Sequence, residues 1–476
     1  MIAAVPIPQV PAPPAVPAYI GAPAPARPVG GVPPTPRNPF MAPNGSSEIH
    51  GDAWQTDTYP WSGPAGRSPA TFSTLLNRDC GTITFDRRGR LVSICVGLDG
   101  PRLYMFDPAT LATLATFALP ARQGSPGNVF QDFSGGGYFY LDDRDRVVTG
   151  TTTRHIYVIA ERADRPGFRL ARDYDLSGRL RRGEKLTSAL PDQHGLLWFV
   201  ARRDGVVGTV DLRTGRVRLL RLGHGDDGEI ENSFATDAGG GVYVATDRRL
   251  YRFDAGPGGR PRIGWRVTYP NSHVHKPGQV DAGTGTTPTV MPGGYVSITD
   301  NADPMDIVVY RTPLKLNGPR LACRVPVFRR GASATENSLI GAGRSMIVEN
   351  NYGYQSPGSV TGGKLTAPGL ERVDLDRDRR GCHVVWRNRS QRAPTVVSKL
   401  SLGNGLIYSY TKDPGATDPW YWTGLDFRTG RVVFKRFAGS NPGSLFNNNY
   451  AGIALGRGGT AYLGVLGGIV ALSARR

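Results

Sequence analysis

From about residue 80 onward, short runs of Val, Ile, Leu, Tyr and Phe alternate with turns rich in Gly and Asp. Strand-length apolar runs bounded by such residues predict β-strands. One turn recurs, polar residues and Gly followed directly by an apolar strand. It reads Asp86-Arg-Arg-Gly89 before Leu91, Asp142-Asp-Arg-Asp145 before Val147 and Asp192-Gln-His-Gly195 before Leu196. It continues as Asp237-Ala-Gly-Gly240 before Val242, Pro292-Gly-Gly294 before Tyr295 and Gly341-Ala-Gly343 before Met346. The last two copies are Gly403-Asn-Gly405 before Leu406 and Gly456-Arg-Gly-Gly459 before Ala461. Eight copies at roughly 45–60 residue spacing match the period of a four-stranded propeller blade. A second turn, one strand later, starts at Asp107, Asp211, Asp254, Asp374 and Asp426. There Asp accepts from downstream amides and Gly, where present, supplies the positive φ.

The eighth copy has too little chain after Leu472 for a fourth strand, which would leave a sheet edge open. The missing strand is therefore expected from residues 49–79, with Trp54–Tyr59 and Thr71–Leu75 as candidates. The expectation is an all-β, eight-bladed β-propeller of four-stranded blades, its last blade closed by an N-terminal strand. The regular period favours this over a pair of β-sandwiches. Residues 49–476 would form the single domain, with neighbouring termini. Residues 1–48 are rich in Pro and Ala, with Pro8, Pro11, Pro14 and Pro17 at three-residue spacing. They read as a disordered arm or spacer of polyproline character.

Composition narrows the classes. With 63 Gly and 39 Pro in 476 residues, long helices are not expected. No window offers 18 consecutive apolar residues, so no transmembrane helix is expected. Four cysteines make no CxxC zinc pattern. The net charge of +18 comes from arginines spread along the chain. A basic envelope attracts anionic surface polymers. Nucleic-acid binding is not expected, because Arg213, Arg216, Arg218 and Arg221 line an outer hairpin without interleaved aromatics.

The repeat resembles the quinoprotein-like and SMP-30/gluconolactonase-like propellers. The stretch Asn232-Ser-Phe-Ala-Thr-Asp237-Ala-Gly-Gly-Gly-Val-Tyr243-Val-Ala-Thr246-Asp247 is similar to the lactonase pattern. Val210-Asp211-Leu-Arg-Thr214-Gly215 and Leu425-Asp426-Phe-Arg-Thr429-Gly430 look like quinoprotein blade turns. These short motifs specify a blade, not a chemistry. Quinoprotein alcohol dehydrogenases are characterised by an adjacent Cys-Cys pair. Cys80, Cys95, Cys323 and Cys382 contain none, so PQQ is not expected.

Inner strands of a propeller start beside the axis, and loops between the second and third strands return to the same face. The word Glu-Asn-Ser-apolar opens two inner strands, at Glu231-Asn232-Ser233 and Glu336-Asn337-Ser338. A collar of Glu231, Asn232, Asp300, Glu336 and Asn337 would suit a hard cation such as Ca²⁺, which takes six to eight oxygens. Thr286, Asn301, Glu349, Asn350 and Asn448 would complete a ligand collar. Such an ion could polarise an ester or lactone carbonyl, with Glu231, Glu336 and His50 as catalytic candidates. The leading expectation is thus a divalent-cation-dependent hydrolase of lactone or ester bonds. The alternative is a non-catalytic propeller that binds a small polar ligand or a cell-surface partner. Ordinary loop hydrogen bonding would also account for many of these residues.

Cys80 and Cys95 are symmetric about the turn at Asp86–Gly89, and Cys323 and Cys382 occupy outer-strand positions of neighbouring blades. Two disulfides would suit an exported protein; buried free thiols are the other reading. The expected setting is a secreted or extracytoplasmic monomer.

Overall fold

The computed structural model describes residues 1–10, 16–21, 27–65, 69–123, 129–223, 228–440 and 443–474. Pro11 and Pro14 lie outside these. The described strands form eight sheets, seven antiparallel sheets of four strands and one of six in which Thr58–Tyr59 pairs parallel with Lys399–Ser401. The molecule is an eight-bladed β-propeller.

The first strands of the blades are Asp79–Phe85, Phe139–Leu141, Leu186–Pro191, Ala235–Thr236, Thr289–Met291, Ile340–Ala342, Lys399–Ser401 and Ala454–Leu455, for blades 1 to 8. First strands of blades 2 and 3, 4 and 5, 5 and 6, and 7 and 8 touch one another, which makes them innermost. Every residue of seven of the eight is buried, and that of blade 1 is buried along most of its length. Outer strands such as Phe168–Asp175 are largely exposed. Flat blades therefore bury both faces against their neighbours. Trp198 and Phe199 of blade 3, for example, share one apolar cluster with Val148 of blade 2 and Phe253 of blade 4.

The recurring turn does in space what its residue types dictate. The carboxylates of Asp86, Asp142, Asp192 and Asp237 each accept from the amides two and four residues on, at 2.8–3.1 Å. The third residue after each Asp turns left-handed: Gly89, Gly195 and Gly240 at φ 77°, 84° and 82°, and Asp145 at 57°. Asp107, Asp211 and Asp426 cap the outer hairpin in the same way.

Ring closure is by Ala70–Leu75, which pairs antiparallel with the last strand, Gly468–Ser473. Thr71–Leu75 is thus the closing strand; Trp54–Tyr59 has a different place. Cys80 is bonded to Cys95 within blade 1, and Cys323 to Cys382 across blades 5 and 6.

The arm departs from the expected disordered spacer. Its described residues lie on the ring. Tyr19–Gly21 adds an outer strand to blade 7, and Ile2 bridges to Thr113 on blade 1. Residues 38–61 then wind round the axis against the innermost strands. Backbone bonds join Ala42 and Ser47 to Leu141, Ala53 to Thr236, Trp54 to Val290, Thr56 to Gly341 and Asp57 to Leu400. Asn38 Nδ2 donates to Pro191 O, and Trp61 Nε1 to Leu455 O, both at 2.9 Å. Seven blades are tied in this way. The physical reason is that innermost edges present unpaired backbone groups to the channel, and the arm's peptide groups pair with them. Proline suits such a strap because it favours extended chain and gives up a donor that the geometry does not need. The arm contacts the C-terminal ends of the inner strands, so it closes that end of the channel.

Candidate active site at the propeller axis

Above this plug the channel widens into a cavity of about 680 Å³. It is lined by residues at the opening ends of inner strands, among them Asp79, Tyr138, Asn232, Thr287, Glu336 and Asn449. Ile94, Val96, Phe130, Phe133 and Leu466 give it an apolar wall. Ile49 and His50, from the arm, form its floor.

His50 is buried, and its ring is held from one side. Nδ1 lies 3.0 and 3.2 Å from the Asp57 oxygens and 2.9 Å from Ser338 Oγ. With the proton placed on Nδ1 to satisfy the carboxylate, Nε2 carries the lone pair. Nε2 has no partner. Burial holds the ring below its ordinary value of 6.5, against the opposing pull of Asp57. Burial alone would raise Asp57, but Lys399 and His50 outweigh it and hold that carboxyl below its usual range. Lys399 Nζ pairs with Asp57 and donates to Ile49 O at 2.5 Å, and its side chain is wholly buried. His50 and Asp57 come from the plug, whereas Ser338 and Lys399 come from blades 6 and 7.

Glu336 also faces the cavity. Its Oε1 accepts from Asn232 Nδ2 at 3.1 Å, and Oε2 from the Val280 amide at 2.9 Å. Burial, reinforced by Asp281, pushes its pKa up to about 8, so it is protonated at neutral pH. Tyr138 donates to Asn232 Oδ1 at 2.9 Å and completes the row. The cavity is thus lined by both a neutral imidazole and a protonated carboxyl. This is the pairing that acid–base catalysis requires.

The remaining residues expected at the collar are buried near the axis but do not converge. Glu231 is paired with Arg202 at 2.8 Å. Asp300 Oδ1 caps the amides of Ala302 and Asp306. Asn337 donates to Glu349 Oε2 and Val396 O, and Glu349 Oε1 accepts from Ser398 N. Asn301 and Asn350 tie loops to backbone groups. Thr286 Oγ1 accepts from Thr299 N; its neighbour Thr287 is the one that lines the cavity. Likewise Asn449 lines it and Asn448 does not. Of the five residues proposed for Ca²⁺, only Asn232 and Glu336 line the cavity, and Asn232 turns its nitrogen to Glu336. So arranged, the set does not supply the convergent oxygens that a hard cation takes. Among the described residues, no three His, Cys, Asp or Glu side chains group to hold a metal ion.

Sequence reasoning missed Asp57 and Lys399. They are 342 positions apart and meet only because the arm enters the channel. The one signal was a His and several acids just after a stretch rich in Pro and Ala that carries no acidic residue.

No protein-family model matches the chain. An uncharacterized protein of Archaeoglobus fulgidus is 28% identical over 321 residues, which is 61% of this chain. The matched part also spans 61% of that relative's length. Among solved structures, Sqt1 of Chaetomium thermophilum aligns with TM-score 0.50 and 14% identity over 81% of this chain and 91% of its own. Virginiamycin B lyase of Staphylococcus aureus aligns at 0.45 and 11% over 85% and 99%. A putative 6-phosphogluconolactonase of Bacteroides uniformis aligns at 0.41 and 11% over 71% and 94%. These are β-propeller proteins, and at such identities the likeness is one of fold. No helix among the described residues is long and apolar enough to cross a membrane.

Proposed function

We propose that the axial cavity is the active site of an acid–base enzyme that hydrolyses an ester or lactone. His50 Nε2 takes a proton from water, and the hydroxyl oxygen bonds to the carbonyl carbon. As the tetrahedral adduct collapses, the C–O bond to the leaving group breaks and the Glu336 proton passes to the leaving oxygen. The His50 proton then returns Glu336 to its acid form through solvent. Asp57 fixes the tautomer that leaves the lone pair on Nε2, and Lys399 keeps Asp57 ionised. No step of this reading runs through a cation.

The observation that carries it is the His50 ring at the cavity floor, its Nδ1 anchored to Asp57 and its Nε2 buried without a partner. A buried polar atom without a partner is uncommon, and at a cavity wall it marks a place where a ligand or water supplies the bond. The size of the cavity suits a small organic ligand.

The test is turnover of two probes, 4-nitrophenyl butyrate and dihydrocoumarin, by the full chain. His50→Gln and Glu336→Gln are each expected to lower kcat about 100-fold or more. If both variants turn over these probes as the parent does, the acid–base reading fails and the cavity is a binding site without turnover.

A further inference from the structure

We propose that Arg122 is the anion anchor of the axial cavity, and that its ligand is an amphipathic monocarboxylate. The carboxylate would sit on the guanidinium, the apolar body against the cavity wall, and the reactive group over His50 and Glu336. This rests on the reading of the cavity as the active site and names the substrate class.

Arg122 is the one Lys or Arg among the described residues that line the cavity. Its Nε is buried and has no hydrogen-bond partner. No ion pair joins the guanidinium to any described carboxylate, whereas Arg78, Arg90, Arg202 and Arg252 around the ring are all paired. Arginine carries five donors and cannot shed its charge, and Arg122 is half-buried, so a carboxylate that meets its free donors gains charge-assisted bonds. Two carboxylates of the lining, Asp132 and Asp79, attract Arg122 without an ion-pair contact. Asp132 pairs with Lys185 at 3.2 Å and Arg202 at 3.5 Å. Asp79 accepts from Asn449 Nδ2 at 2.9 Å, and burial pushes its pKa up to about 7. Arg122 therefore lines the cavity without a direct contact to a described carboxylate.

The anion should be singly charged. A planar carboxylate meets the guanidinium fork with two parallel bonds. Asp79 and Asp132 flank the same wall, and their residual negative potential weighs twice as heavily against a dianion such as a phosphomonoester. Val96, Phe130, Phe133 and Leu466 make part of the lining apolar, so the body of the ligand should be apolar. Such a molecule buries its body by the hydrophobic effect and is oriented by its charge.

The experiment compares three probes with a common phenyl body: 3-phenylpropanoate, 3-phenylpropanamide and 2-phenylethyl phosphate. Dissociation constants are measured by calorimetry on the full chain and on Arg122→Met, Arg122→Lys and His50→Gln. The parent should prefer the carboxylate over the amide by at least tenfold, and over the phosphate. Arg122→Met should bind acid and amide alike, and Arg122→Lys should retain part of the preference. The melting temperature of Arg122→Met should stay level, because Arg122 makes no ion pair with a described carboxylate. His50→Gln should keep the carboxylate affinity while losing ester turnover, which separates this proposal from the acid–base reading. An amide bound as tightly as the acid, a phosphate bound more tightly, an acid preference surviving in Arg122→Met, or no probe bound at millimolar concentration would each overturn the proposal.

Discussion

Replacing Glu336 by Gln should stabilise the protein, and by an amount that grows with pH. Glu336 is buried, accepts from Asn232 and Val280, and faces no cation across its bonds. Its folded pKa is pushed from 4.5 up to about 8 by burial first and Asp281 second. The unfolded chain releases this proton near 4.5, whereas the folded chain keeps it to about 8. Between those values the folded state holds the extra proton, so its stability falls as pH rises. Below 4.5 both states are protonated and nothing is lost. The loss is about 1.4 kcal/mol per pH unit, reaching about 3 kcal/mol at pH 7 and levelling near about 5 kcal/mol above pH 8. Glutamine is neutral throughout and escapes the loss. Its amide can be satisfied, because the Asn232 amide can turn over and donate to the Tyr138 oxygen, whose hydroxyl serves as donor or acceptor. The assay is thermal and urea unfolding of parent and Glu336→Gln from pH 4 to 9. For a chain this size, ~3 kcal/mol is worth about 3–4 °C in Tm. The variant should match the parent near pH 4.5, exceed it by that margin at pH 7, and show no further gain above pH 8. A difference that does not vary with pH would mean that Glu336 ionises like a surface carboxylate, and its role as an acid would go with it.

The same assignment predicts that kcat/KM follows a bell-shaped pH profile when the butyrate ester is hydrolysed. The rising limb reports His50, below its ordinary 6.5, and the falling limb reports Glu336 near 8; Asp57→Asn should distort the rising limb and lower kcat. Calcium and EDTA should leave both Tm and turnover unchanged, and a calcium-dependent rise in either would favour the hard-cation reading of the collar. Cys323→Ser with Cys382→Ser should lower stability by about 4 kcal/mol, the chain-entropy value for a bridge spanning 59 residues, read as a fall in urea midpoint under non-reducing conditions. Asn38→Ala, which removes a bond from the arm to blade 3, should cost about 1 kcal/mol and leave turnover intact, since Asn38 does not line the cavity.

Much of the ring was legible in the residue order. Blade number, the Asp-led turns and the closing strand each depend on local rules: an Asp caps the amides that follow it, a Gly accepts positive φ, and an apolar run of strand length pairs with the next. Those rules repeat eight times, so the repeat itself carried the fold. Glu336 and Asn232 were legible because a strand's opening residues must lie near the axis. Neighbouring positions were not separable, as Thr286 against Thr287 and Asn448 against Asn449 show. A shift of one residue on an extended chain turns a side chain from the cavity into the wall.

The arm is the contrast. Its composition predicted a polyproline-like spacer, but nothing in Pro, Ala and Gly spacing says what lies beside it. Only the assembled ring offers a circle of unpaired inner edges for that chain to bond. Where the chain enters, His50 and Asp57 meet Ser338 and Lys399, and burial then moves each proton affinity. Strand periodicity and turn chemistry are local and could be read directly. The charge network at the axis is non-local, and it exists only once the tertiary structure has brought those groups together away from water.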